Sequence, residues 1–64
     1  TTLTLRELDV LRLAADGLSN AQIAARLYLT LATVKSHLAH TYAKLGVPSR
    51  TAAIATARER GLLS

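Results

Sequence analysis

Ser36 and His37 are adjacent, Asp16 offers a carboxylate, and His37 and His40 lie three residues apart. These are the side-chain types of a nucleophilic triad and of half a metal site, but neither constellation is complete. A 64-residue chain leaves no room for a water-excluding pocket around a nucleophile, base and orienting acid. A metal would need a third ligand at a recognisable spacing, and there is neither that residue nor a cysteine. The cations form a fuller pattern. Arg26, Lys35, Lys44 and Arg50 all fall in the stretch from Ser19 to Arg50, which contains no carboxylate. Glu7, Asp9 and Asp16 precede it and Glu59 follows it, so the three successive segments carry −1, +4 and +1. A generic solvated surface mixes both signs, whereas unipolar charge on one compact element suits a phosphate backbone.

Size limits what can position these groups. The chain is one domain, residues 1–64, and a domain this short buries only roughly 60% of its unfolded surface. With no cysteine, neither a disulfide nor a thiolate metal site can staple it. Half of the residues are apolar, many of them Ala, with no Trp, Phe or Met. Small side chains let helices approach closely, which favours a compact bundle over a ligand cavity. No apolar run approaches the ~18 residues of a membrane span, and nothing resembles a signal peptide. The expectation is a cytoplasmic module without membrane contact or cofactor. The missing initiator Met is expected of a piece of a larger protein, and a processed chain would look the same.

The punctuation predicts an all-α fold with helices over about 5–16, 20–27, 31–45 and 50–60. Thr4 with Glu7, and Ser19 with Gln22, are spaced as capping boxes. Thr30 caps the third helix, and Ser49 or Pro48 opens the fourth. Gly17, Gly46 and Gly61 are placed as left-handed stops. Leu8, Leu11 and Ala15, flanked by Val10 and Ala14, give the first helix an apolar face. Ala21, Ile23, Ala24 and Leu27 are the buried candidates of the second. Val34, Leu38, Thr41 and Leu45 form the core stripe of the third, and Leu62 and Leu63 fold back onto the core. No segment alternates as a strand does.

The second and third helices, joined by Tyr28 and Leu29, make a helix-turn-helix, in which the later helix enters the major groove and the earlier one lies across phosphates. The groove is about 12 Å wide and admits a helix whose leading face is not bulky. The face opposite the core stripe is Ala32, Lys35, Ser36, Ala39 and Ala43. Lys35 can reach a guanine edge or a phosphate, Ser36 can hydrogen-bond or simply permit close approach, and Ala methyls can meet thymine methyls. Arg26 and Lys44 either complement the helix C-termini they occupy or contact phosphate. Arg50 either binds phosphate or bridges to a carboxylate on the first helix. Ser19 and Thr30 are N-caps whose neighbouring helix-terminal amides favour anions. His37 lies near a phosphate or packs half-buried. Tyr42 reads as core or rim, since two tyrosines without other aromatics do not make a single-strand stacking platform.

Leu3-Thr4-Leu5-Arg6-Glu7, Gly17-Leu18-Ser19-Asn20, Ile23-Ala24, Leu27, Thr33-Val34-Lys35-Ser36-His37-Leu38, Lys44-Leu45-Gly46-Val47 and Ser49-Arg50-Thr51 together resemble the LuxR-type (GerE-type) helix-turn-helix family. The resemblance runs in order over nearly the whole chain. It implies the C-terminal DNA-binding domain of a bacterial transcriptional regulator that binds double-stranded DNA as a two-fold homodimer under an upstream sensor domain. It implies that Ala32, Lys35, Ser36 and Ala39 face bases, and that Ser19, Asn20, Thr30, Thr33 and His37 lie near the backbone. Arg26, Lys44 and Arg50 complete the expected phosphate set, and Ala52, Ala53, Thr56 and Arg60 the expected dimer face on the fourth helix. The ending Ala57-Arg58-Glu59-Arg60-Gly61-Leu62-Leu63 looks most like large ATP-binding regulators of the MalT type, with receiver-domain response regulators as the alternative.

Some positions depart from the family. Leu5 stands where Pro is frequent, Leu31 where Pro or a polar residue is usual, and Thr41 where a larger aliphatic is common. Ala39 and Ala43 replace positions that are often polar, which favours Lys35 and DNA shape as the source of selectivity. Two other functions share parts of the pattern. A sigma-factor promoter-recognition domain has the Thr-x-Arg-Glu start and the helix-turn-helix, but the Lys44-to-Thr51 segment and the fourth helix count against it. A protein-interaction module would use the Ala-rich fourth helix to dimerise, with DNA incidental.

Overall fold

The computed structural model describes residues 2–63. Four helices follow one another: α1 Leu5–Ala15, α2 Asn20–Leu27, α3 Leu31–Leu45 and α4 Arg50–Glu59. Each begins at a Ser or Thr in extended backbone. Thr4 and Ser19 form complete capping boxes with Glu7 and Gln22, while Thr30 and Ser49 accept from Thr33 and Ala52. An N-cap of this kind is worth about 1 kcal/mol, and four of them define where helices start in a chain with little core to spare.

The helix ends share a second device. Leu18, Leu29, Val47 and Leu62 each donate a backbone hydrogen bond to the carbonyl five residues earlier, at 2.8–3.1 Å. The residue before each donor is left-handed, as this closure requires. Three of these are Gly17, Gly46 and Gly61; the fourth is Tyr28, at φ 57. Each donor is apolar and half-buried, so the chain turns back onto the core as each helix stops. The first and last helices end at Ala15 and Glu59, one residue before the expected Asp16 and Arg60, which lie at ψ 0 and belong to the closing turns.

α3 packs against all three other helices. On one side Leu3, Leu11, Leu45, Ala53, Ala57 and Leu63 cluster, and on the other Val10, Ala14, Ile23, Ala24, Val34 and Leu38. Tyr42 and Ile54 pack against both clusters, joining them into one core, so Tyr42 has the packing role. The expected stripe Val34, Leu38, Thr41 and Leu45 is buried throughout. Thr41 is tolerated there because its hydroxyl donates to the His37 carbonyl at 2.8 Å. Ala21 departs from expectation: it is exposed, because the face of α2 that meets α1 and α3 is set by Ile23, Ala24 and Leu27.

One charged residue is inside. Glu7 is 3% exposed, and its Oε1 accepts from the Thr4 amide at 2.8 Å and from Lys44 Nζ at 2.7 Å. Lys44 also reaches the Thr2 carbonyl at 3.4 Å, tying the start of α1 to the end of α3. Burial pushes the Glu7 carboxyl up, but the hydrogen bonds from Lys44 and Thr4 and the lysine charge outweigh it. The group stays below its ordinary value of about 4.5.

Candidate nucleic-acid interface

α2 and α3 are separated by Tyr28, Leu29 and Thr30 alone. Because Val34, Leu38, Thr41 and Leu45 face inward, the pitch of α3 turns Ala32, Lys35, Ser36, Ala39 and Ala43 outward, and all five are exposed. His40 is exposed beside them, and Leu31, 44% exposed, leads the helix. The face is therefore narrow, with one long cationic side chain at its centre. Leu31 was not predictable as a surface residue from periodicity, since it occupies the first helical position, ahead of the core stripe.

The expected backbone-contact residues gather at the N-termini of α2 and α3. At α2, Ser19 Oγ accepts from the Gln22 amide at 3.2 Å and Gln22 Oε1 accepts from the Ser19 amide at 2.8 Å. At α3, Thr30 Oγ1 accepts from the Thr33 amide at 3.1 Å, and the two threonine hydroxyls pair at 2.8 Å. Asn20 and His37 are half-buried. The earliest amides of each helix have no intrahelical acceptor and present partial positive charge outward. Arg26, in the last turn of α2, and Lys35 are exposed and have no hydrogen-bonded partner among the described residues.

Three of the expected site residues are engaged or buried within the chain itself. Lys44, placed by sequence among the phosphate contacts, is committed to Glu7, the buried carboxylate that needs it most. Arg50 makes no salt bridge to a carboxylate on α1 among the described residues, and its guanidinium is engaged by groups at the start of α2 instead. Its Nη1 donates to Asn20 Oδ1 at 2.6 Å and its Nη2 to the Leu18 carbonyl. Ala53, expected on a dimer face, is 0% exposed within the chain's own core, so no partner can reach it. Ala52 and Thr56 are half-buried and Arg60 is exposed, which leaves these three of the expected set accessible on α4.

The surface offers open crevices, one of them lined by Asp16, Gly17, Leu18, Gln22, Arg26 and Tyr28 among others. Among the described residues no three His, Cys, Asp or Glu side chains come together as a metal site, and no helix is long and apolar enough to cross a membrane. The outward small-residue face of α3, the short turn and the capped helix starts define a helix-turn-helix DNA-binding domain. Residues 1–61 match the family described as bacterial regulatory proteins, luxR family (GerE), and the chain belongs to it.

Similar proteins agree. An HTH-type transcriptional regulator of Mycobacterium tuberculosis is 52% identical over 60 residues, 94% of this chain and 7% of that protein. The crystal structure of ChrA, a response regulator of a heme-sensing two-component system, superposes with a TM-score of 0.93 at 52% identity, over 97% of this chain and 31% of that one. The transcription factor GerE superposes with a TM-score of 0.93 at 34% identity, covering 100% of this chain and 97% of its own. The chain therefore spans a small part of the mycobacterial regulator and of ChrA, and nearly all of GerE. It is a DNA-binding domain of transcriptional regulation, and not an enzyme.

Proposed function

We propose that α3 enters the major groove of double-stranded DNA with Ala32, Lys35, Ser36 and Ala39 toward the bases. Ser19, Asn20, Thr30, Thr33, His37 and Arg26 then lie along the phosphates. The observation that carries this reading is the narrow exposed face of α3, lined by small residues around a single Lys35 and led by the capped start of that helix. Two copies occupy an inverted repeat, meeting through Ala52, Thr56 and Arg60 of α4. The domain serves a longer cytoplasmic regulator, and a sensor region elsewhere in that protein governs it. The small fraction of the mycobacterial regulator that aligns favours a large host protein.

Selection of bound sites from a random duplex library, followed by titration over a salt series, tests the whole reading. The selected motif should be a two-fold repeat with half-sites about one turn, ~10 bp, apart. Each neutralised phosphate contributes a slope of about −0.9 in log affinity against log salt. Of the four cations in the acid-free stretch, Lys44 and Arg50 are engaged internally and Lys35 is turned to the bases, which leaves Arg26, so these four should contribute a slope of about −1 per copy rather than about −4. Duplex affinity independent of salt, or a motif without symmetry, would overturn the corresponding part.

A further inference from the structure

We infer that Arg50 acts on DNA binding from inside the domain, as the positioning residue that turns the Asn20 amide outward. This inference rests on the reading of the α2 start as backbone-facing. Arg50 is the first residue of α4 and Asn20 the first residue of α2, thirty positions earlier in the chain. The guanidinium makes two contacts, Nη1 to Asn20 Oδ1 at 2.6 Å and Nη2 to the Leu18 carbonyl. The two acceptors lie two residues apart, on either side of the N-cap Ser19. A planar fork with donors in fixed directions can hold both at once; an ammonium cannot do so with the same geometry.

The chemistry of the pair fixes which way Asn20 faces. Arginine carries only donors, so the Asn20 atom it meets is the carbonyl oxygen. The two N–H donors therefore sit on the opposite branch of the amide, turned away from Arg50. An Asn side chain at an unsupported helix start would flip freely between donor-out and acceptor-out, and acceptor-out repels a phosphate. Arg50 removes that freedom. Its second contact, at Leu18, holds the backbone that leads into the cap, so the amide and the helix start are set together. Because Arg50 begins α4, the helix proposed to meet a second copy is tied directly to the helix proposed to meet the phosphates.

The test uses a mixed-sequence duplex and fluorescence anisotropy, since backbone contacts are read on any sequence. Asn20→Asp keeps an oxygen for Arg50 but replaces the outward donors with a second oxygen carrying negative charge. It should leave thermal stability equal or higher while weakening duplex binding about tenfold or more. Asn20→Ala should weaken it several-fold, and Arg50→Gln by a similar factor.

In the Asn20→Ala background the Arg50→Gln effect should shrink to the small part carried by the Leu18 contact, because Arg50 has no amide left to orient, and the salt slope should change little in either background. Additive losses, with a slope reduced by about 0.9 on Arg50→Gln, would make Arg50 a direct phosphate ligand and overturn the inference. Undiminished binding by Asn20→Asp would also overturn it. Arg50→Lys gives a folded control: it retains the charge and should still bind more weakly. If the unaltered chain showed no salt-dependent duplex binding, the DNA-interface reading itself would fail, a result distinct from all of these.

Discussion

Replacing Glu7 by Gln isolates the one buried charged side chain among the described residues. Gln is isosteric, and its carbonyl oxygen can still accept from the Thr4 amide, so the capping box survives. What disappears is the charge facing Lys44 across 2.7 Å. Breaking a fully buried ion pair by removing one partner costs about 3–5 kcal/mol, but the Lys44 side chain is 27% exposed and can turn its ammonium to water. A charge-assisted hydrogen bond in this setting is worth about 1.5–3 kcal/mol, and about 2 kcal/mol is the expected loss. That is a large share of the roughly 3–10 kcal/mol available to a 64-residue chain. At about 4–8 °C per kcal/mol, the midpoint should fall by roughly 8–16 °C.

The pH dependence separates this ion pair from a mere packing defect. The Glu7 carboxyl is held below its ordinary value of about 4.5 in the folded state. Its stabilising contribution is therefore complete above that value and is lost as pH falls through the lower, folded-state value. Urea unfolding followed by circular dichroism should show a wide gap between the unaltered chain and Glu7→Gln at pH 7. The gap should close in acid, below about pH 4.5. A gap that stays constant from neutral pH to strong acid, or no gap at neutral pH, would refute the ion-pair account.

Tyr28 holds a left-handed backbone that costs an L-residue about 1–2 kcal/mol, yet it is 96% exposed and contributes almost no packing. Tyr28→Asn, a residue more tolerant of that conformation, should raise stability by about 0.5–1 kcal/mol; a lowered thermal midpoint would show that the phenol ring stabilises the turn. Lys35→Ala should weaken specific DNA binding by about 1–3 kcal/mol and flatten discrimination at one base pair. Unchanged affinity and selectivity would remove Lys35 from the base-facing set.

What could be read from sequence was local. Each N-cap is a Ser or Thr whose side-chain oxygen accepts from the amide three residues on, and the three- and four-residue recurrence of Val34, Leu38, Thr41 and Leu45 is carried within one helix. The losses have a common physical origin in distance along the chain and in side-chain similarity. Arg50 and Asn20 are thirty residues apart and Lys44 and Glu7 thirty-seven, so no spacing rule connects either pair. In α4, Ala52, Ala53, Ala55 and Ala57 are chemically identical, and hydropathy does not say which turn inward. The structure buries Ala53 and Ala57 and exposes Ala55. Tyr28 marks another limit: where Gly17, Gly46 and Gly61 announce their turns by residue type, the same closure after α2 carries no such signal.

The acid-free stretch from Ser19 to Arg50 therefore contains two kinds of cation. Lys44 and Arg50, both half-buried, are bonded within the chain, one joining α1 to α3 and the other joining α4 to α2. Arg26 and Lys35 remain at the surface. A domain with no disulfide and a core of small side chains gains long-range ties from the internally bonded pair, which hold the two ends of the helix-turn-helix against the outer helices. Charge counting alone treats all four as a phosphate patch. The folded arrangement instead divides the work, leaving a modest outward charge and a narrow helix face. On the proposed docking of α3, such a balance favours reading a groove over clinging to any polyanion, because affinity would depend on whether α3 fits as well as on how many phosphates are neutralised.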